Sequence, residues 1–241
     1  PAGSSHWAIR AEANDAFAAA NALLAAGQSV RRDRQGRFIV AASPQARDVL
    51  GGGSGFRVDA LPRLPAGLAA QRAPRIALWD TFGGSMPSGW TRLVLETFGF
   101  EYEVVYPQQI ASGALAGAYD VLILPTGALQ LPEELAVISA TPRSRRKPDL
   151  ERVPARYQHM LGDLEDEAAI AALRDFLSTG GHIVTTGSSS GLARRLGLPV
   201  SSHLRVADAT AANGKRPLRS NEYCIPGSLL QVAVEHPLPV T

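Results

Sequence analysis

One cysteine in 241 residues, Cys224, excludes an intrachain disulfide and any thiolate cluster around a metal. It stands in Asn-Glu-Tyr-Cys-Ile-Pro, away from any strand-to-helix elbow and without a cationic neighbour in sequence, so it reads as a small buried hydrophobe. No run approaches the ~20 apolar residues of a membrane-spanning helix, and no signal-peptide pattern is present. An excess of one charge is missing too: 24 Lys and Arg against 22 Asp and Glu leave +2. Apart from Arg143–Lys147 the arginines are scattered, and they are not interleaved with aromatics as a nucleic-acid groove requires. The five histidines, His6, His159, His182, His203 and His236, form no H-x-x-E, H-E-x-x-H or H-x-H pair, so no metal site is expected within this chain. Gly51-Gly-Gly-Ser-Gly55 shares only glycine content with a phosphate loop, because it lacks the Lys-Ser/Thr pair and the helix that should follow.

The composition, 45% hydrophobic and 19% charged, is that of an ordinary globular protein. Its most informative stretch runs from Arg75 to Gly99. The apolar run Arg75-Ile-Ala-Leu-Trp-Asp80 ends on an acid, a Gly/Ser/Pro loop follows, and an amphipathic helix over Trp90–Phe98 closes on glycine. This is a β-loop-α unit. From there strands are expected at 102–106, 121–125 and 182–186, alternating with helices at 108–115, 164–178 and 192–196. The unbroken Val-Leu-Ile-Leu of 121–124 suggests a strand buried on both faces. The acidic first turn Glu165-Asp-Glu167 suits the positive end of a helix dipole, and Ile170, Leu173 and Leu177 form that helix's apolar stripe. His182 is read as a structural residue opening a buried strand, and 229–234 as a late strand.

The fold expected is therefore α/β, a doubly wound, mostly parallel sheet over 74–241 with an insertion at 126–160. That insertion carries the basic cluster and reads as a solvated excursion or as a lid or partner-contact segment. Residues 1–73 are expected to form a small α+β subdomain. In it, a helix over 10–27 carries the stripe Phe17, Ala20, Asn21 and Leu24. Strands follow at 29–32, 37–42 and 56–61, and Ser43 caps a short helix with proline at its first position. The ends, Pro1-Ala-Gly-Ser-Ser and Pro239-Val-Thr241, read as cut, so a longer parent polypeptide is expected.

Ligands of open parallel sheets sit beyond the carboxyl ends of the strands. Those ends carry Asp80, Thr126 and Ser188, with Trp90 at the start of the adjoining helix as the lining of a pocket or interface or as core packing. Gly187-Ser-Ser-Ser-Gly191 matches G-x-S-x-G between a strand and a helix, the context of a nucleophile elbow. Ser189, Asp208 and His236 follow in the order nucleophile, acid, base. Such a set suits acyl transfer, because a serine hydroxyl at its own pKa needs a base. The bland alternative is that small residues simply permit the turn.

A family resemblance rests on Arg75-Ile-Ala-Leu-Trp-Asp80, Gly89-Trp-Thr-Arg-Leu-Val-Leu-Glu-Thr-Phe-Gly-Phe100, Gly113-Ala-Leu and Tyr119-Asp-Val-Leu-Ile-Leu-Pro125. It continues in Val153-Pro, Tyr157, Leu173-Arg-Asp-Phe, Gly180-Gly, Thr186-Gly-Ser-Ser and Cys224-Ile-Pro-Gly-Ser-Leu, with Ala16–Leu24 and Gly36-Arg-Phe-Ile-Val40 upstream. Together these resemble the C-terminal region of large bacterial zinc-carboxypeptidase-like proteins. In that family a carboxypeptidase A-like domain precedes a class I glutamine-amidotransferase-like, flavodoxin-like domain. The resemblance implies that the zinc and its H-x-x-E pair belong to the upstream domain. It also implies that Ser188, Ser189 and Ser190 occupy the elbow where an amidotransferase has its cysteine. A periplasmic or secreted, non-catalytic accessory domain follows from it, with the upstream peptidase domain and the parent's peptide substrate as partners and no cofactor in this chain. Nucleic acid is not an expected partner. The competing readings are a serine hydrolase using Ser189 and a small-ligand module using Asp80, Trp90, Thr126 and Ser188.

Overall fold

The structure, a computed structural model, describes residues 4–52, 55–130, 152–211, 214–218, 221–223 and 231. The chain divides into two compact units, Pro1–Gln130 with Lys147–Leu198, and Leu131–Arg146 with Pro199–Thr241.

The first unit opens with an antiparallel layer. Strands β1 (His6–Ile9), β2 (Arg31–Arg32), β3 (Phe38–Ala41), β4 (Val58–Leu61) and β5 (Ala69–Ala70) form a five-stranded sheet in the order β4-β1-β3-β2-β5. Helices α1 (Asp15–Ala25) and α2 (Pro44–Gly51) close the layer's core, which gathers Ala16, Ala20, Leu23, Ala46 and Leu50 with Trp7, Ile9, Phe38 and Val40. Local chemistry sets the turns. Asp33 Oδ1 accepts from the amides of Gln35 and Arg37 while Gly36 takes φ +81°, a left-handed conformation that favours glycine. Ser43 Oγ accepts from Ala46 N at 3.0 Å and so caps α2, with Pro44 at the first helical position.

Strands β6 (Ile76–Trp79), β7 (Tyr102–Val105), β8 (Val121–Leu124) and β9 (His182–Thr185) then form a four-stranded sheet, β7-β6-β8-β9, parallel throughout. All four residues of β6 are buried, as a central parallel strand requires. Its alternation divides the core. Ile76 and Leu78 pack with Leu95 of α3 (Met86–Thr97) on one face. Ala77 and Trp79 pack on the other with Ile110 of α4 (Pro107–Ala111) and with Ile170, Leu173 and Phe176 of α5 (Glu167–Ser178). Each fully buried leucine here contributes about 1.5–3 kcal/mol relative to exposure. Asp166 caps α5 by accepting from Ala169 N at 2.9 Å. Gly181, just past α5, faces Phe176 so closely that a Cβ there would lie 2.5 Å from the ring. A short helix α6 (Leu192–Arg195) follows the turn after β9.

Two ties secure this unit. Asn21 Nδ2 of α1 donates to Phe98 O at the end of α3, at 2.9 Å, satisfying a carbonyl the helix leaves open. Asp120, just before β8, accepts from Arg72 Nη1 at 2.6 Å, from Arg75 N at 2.8 Å and from Arg75 Nη2 at 2.8 Å. In the second unit, β10 (Arg205–Ala207) and β11 (Lys215–Pro217) pair as an antiparallel hairpin.

The parallel strands fall where the sequence places them; the details around them differ. The core stripe of α1 is Ala16, Ala19, Ala20 and Leu23, rotated from the Phe17, Asn21 and Leu24 side, because alanines allow the closest approach to the sheet. Helix α3 begins at Met86, four residues before the expected Trp90, with Pro87 in its first turn and Gly89 inside it. Leu177 is 37% exposed and Phe176 takes its place in the core. In β8, Val121 and Ile123 are only half-buried, and in β9 both His182 and Val184 are exposed. Among the described residues β9 is the sheet's edge and no helix covers its α3-side face, and the exposure of His182 corrects the reading of it as the head of a buried strand. Strands β1, β5, β10 and β11 go beyond the sequence reading. Within the expected 229–234 strand only Gln231 is described, and it is exposed and not in a strand; Cys224 and the cluster at 143–147 lie outside the described residues.

The Arg72 and Arg75 hydrogen bonds hold the Asp120 carboxyl well below the usual carboxylate range. A depressed folded pKa contributes stability that is present above the unfolded value of about 3.9 and lost as pH falls toward the folded one. The stability gap between wild type and Asp120→Asn, measured by urea unfolding, should therefore be constant above about pH 5 and shrink below about pH 4. A gap that widens in acid would contradict this role for Asp120.

Candidate functional site at the carboxyl ends of the parallel strands

The carboxyl ends of β6, β8 and β9 bring Asp80, the loop Pro125–Gln130 and the turn Gly187–Gly191 to one edge of the sheet. Asp80 is 5% exposed. Its Oδ1 accepts from Thr81 N at 2.8 Å, and its Oδ2 pairs with the guanidinium of Arg92 on α3. Ser88, fully buried, donates to Trp79 O at 2.7 Å and pins the first turn of α3 to the end of β6. The Asp80 carboxylate is thus a strut between strand and helix, with both oxygens engaged inside the protein.

The turn after β9 is a 3₁₀ turn, Gly187–Gly191, leading into α6. Gly187 has φ +54°, and a Cβ there would collide with Thr126 Oγ1. Glycine is therefore required by backbone and by space alike. Ser188 Oγ accepts from Gly127 N at 2.9 Å and donates to Leu129 O at 2.8 Å. Ser189, fully buried, accepts from Leu129 N at 3.2 Å and donates to Pro125 O at 2.6 Å. Ser190 Oγ donates to Gly187 O at 2.7 Å within the turn. A hydroxyl has one proton to donate and lone pairs to accept with, and Ser188 and Ser189 each use both functions on the loop that leaves β8. Glu165 continues the pattern, taking Gln130 N at 2.7 Å while pairing with Arg195 at 2.6 Å.

The positions named from sequence thus divide. Ser188 and Thr126 both lie at this edge, Thr126 exposed with its Oγ1 3.5 Å from Thr186 O. Asp80 is engaged with Arg92. Trp90 is 63% exposed on α3, which corrects the reading of it as core packing. Asp208 belongs to the second unit, where it accepts from Thr210 N at 2.9 Å and pairs with Arg216 at 3.4 Å. His236 lies outside the described residues. Sequence reasoning missed an aromatic group at the same edge. Phe82 N donates to Met160 O at 3.2 Å, and Tyr157 and His159, on the 3₁₀ turn Ala155–Met160, stack against Phe82 and Tyr106. The residues after 151 are thereby held over the ends of β6 and β7, a contact that no local spacing announces.

A cavity of about 590 Å³ opens at the other edge of the sheet, lined by Arg75, Phe100, Glu101, Tyr102, Glu103 and Tyr119 among others. Ligands of open parallel sheets gather at the carboxyl edge. In this opposite cavity the tyrosine hydroxyls already donate to carboxylates, Tyr102 to Glu96 and Tyr119 to Glu103, each at 2.6 Å. It is a surface hollow bounded by paired groups, and we do not assign it as the site. Among the described residues, no group of three or more His, Cys, Asp or Glu is placed to hold a metal, and no helix is long and apolar enough to cross a membrane. No protein-family model, curated protein or solved structure matches this chain.

Truncating the buried hydroxyl tests the clasp. Ser189→Ala leaves the buried Leu129 N without its partner and leaves Pro125 O with only the Ala128 amide, and should cost about 1–3 kcal/mol in denaturant unfolding. Ser190→Ala, at an exposed position, should stay within about 0.5 kcal/mol. Equal effects at the two positions would contradict the assignment.

Proposed function

We propose that this chain is a non-catalytic accessory domain of a larger zinc-carboxypeptidase-like protein, built on a class I glutamine-amidotransferase-like fold whose elbow carries structure in place of chemistry. The observation that carries the reading is Ser189, buried, with its one proton directed at Pro125 O. A serine nucleophile must offer that proton to a base within about 2.6–3.2 Å and stand where a substrate carbonyl can reach it. Ser189 does neither among the described residues, which favours the accessory reading over a hydrolase using Ser189, Asp208 and His236.

The strand order supports the finer fold. In order of appearance the parallel strands run 2-1-3-4, the first four positions of the flavodoxin-like order 2-1-3-4-5. Helix α3 on one face and α4 and α5 on the other accord with a doubly wound sheet, and the antiparallel layer accords with a small α+β subdomain over 1–73. In this reading zinc is held upstream in the parent, where it would polarise the scissile carbonyl and activate water. The described residues bring no ligand set to that metal. This chain supplies a rigid edge, braced by Asp80–Arg92 and the serine clasp, against which the parent's peptidase domain or peptide substrate is positioned. The parent is then a periplasmic or secreted protein.

The parent polypeptide should release C-terminal residues from peptides, while the isolated 241-residue chain releases none and retains only background zinc after dialysis. One tightly held zinc per isolated chain, found by elemental analysis, or peptide hydrolysis by that chain alone, would sink the proposal.

A further inference from the structure

Helix α3 buries Ser88 and Leu95 and turns a second apolar stripe to water. Met86 is 78% exposed, Trp90 63%, Leu93 51% and Val94 55%. The spacing of 86, 90, 93 and 94 places all four on one side of the helix, a second apolar face where a single core face is the rule. They leave roughly 500 Å² of apolar side chain in water, at the upper end of what a monomer exposes in one patch. The stripe also contains Gly89, inside the helix without positive φ and with nothing within 4 Å of where its Cβ would be. A mid-helix glycine costs about 1 kcal/mol relative to alanine. Among the described residues neither packing nor backbone conformation calls for it here.

We infer that this face of α3 is a homodimer interface in which two copies pair antiparallel about a twofold axis between Gly89 and Trp90. That register is self-complementary. It sets Trp90 against the partner's Gly89, the largest side chain over the one missing side chain, and Met86 against the partner's Leu93. An isologous contact needs one surface to carry both knob and notch, and these adjacent residues supply them. Covering the stripe on both copies removes about 1,000 Å², the lower bound for a specific interface. The interface involves α3 alone and stands apart from the accessory-domain reading.

Sedimentation equilibrium of the 241-residue chain from about 1 to 200 μM tests it, with micromolar dimerisation expected. Trp90→Glu should weaken association at least tenfold. Gly89→Gln is the decisive variant: the open space and the better helix propensity of glutamine should leave folding intact or improved, yet the filled notch should abolish the dimer. Leu198→Ser, at another exposed apolar position, should change nothing. A monomer throughout the range overturns the inference, as does a dimer that both α3 variants leave intact. A monomeric chain whose Trp90 is shielded from quenchers only in the parent protein would assign the face to another domain, and overturns it as well.

Discussion

Two serine hydroxyls hold the carboxyl edge of the parallel sheet together. Ser188 and Ser189 make four hydrogen bonds to the loop leaving β8, two accepted and two donated. That loop would otherwise bury Leu129 N without a partner, at a cost of about 1–3 kcal/mol, while Pro125 O would keep only the Ala128 amide. The same contacts fix the turn leaving β9, and Glu165 extends the brace to Gln130 N and to Arg195. An edge that parallel α/β sheets commonly give to ligands is here closed by the chain's own backbone.

The buried acid at the end of β6 follows the same logic. A carboxylate 5% exposed needs compensation, and Asp80 finds it in Thr81 N and in Arg92, one turn beyond Ser88 on α3. Strand β6 is buried on both faces, so α3 must stay on its face for the sheet to remain covered. Asp80–Arg92, Ser88–Trp79 O and Tyr102–Glu96 are polar links that keep it there, and Asn21 secures the far end of the same helix.

How much of this the sequence discloses depends on the range of the interaction. The apolar runs of β6–β9 and the cap at Ser43 are local signals, and they stand where the chain chemistry places them, whereas Asp166, expected within the first turn of a helix from 164, is the N-cap of a helix that begins at Glu167. The two-residue strands β2 and β5 exist only through pairing, Arg31 with Ala70 and Arg32 with Ala69, about 40 residues apart in the chain, so the alternation at 29–32 is only partly strand and 69–70 passes unseen. At the candidate site, G-x-S-x-G is legible as a turn. The role of its serines depends on partners 59 to 64 residues away. Trp90 shows the same limit. Its place after Gly89 suggests a helix start, whereas Pro87, tolerated in the first turn, lets α3 begin at Met86 and carries Trp90 onto the solvent face.

The central claim is that the elbow serine is a structural donor. Reaction of the intact chain with a fluorophosphonate probe, read by intact mass and peptide mapping, tests it most directly. The account predicts no labelling at Ser189 above the background of a Ser189→Ala control, because the hydroxyl is buried and its proton is held by Pro125 O. Stoichiometric labelling of Ser189, lost in His236→Ala, would contradict it.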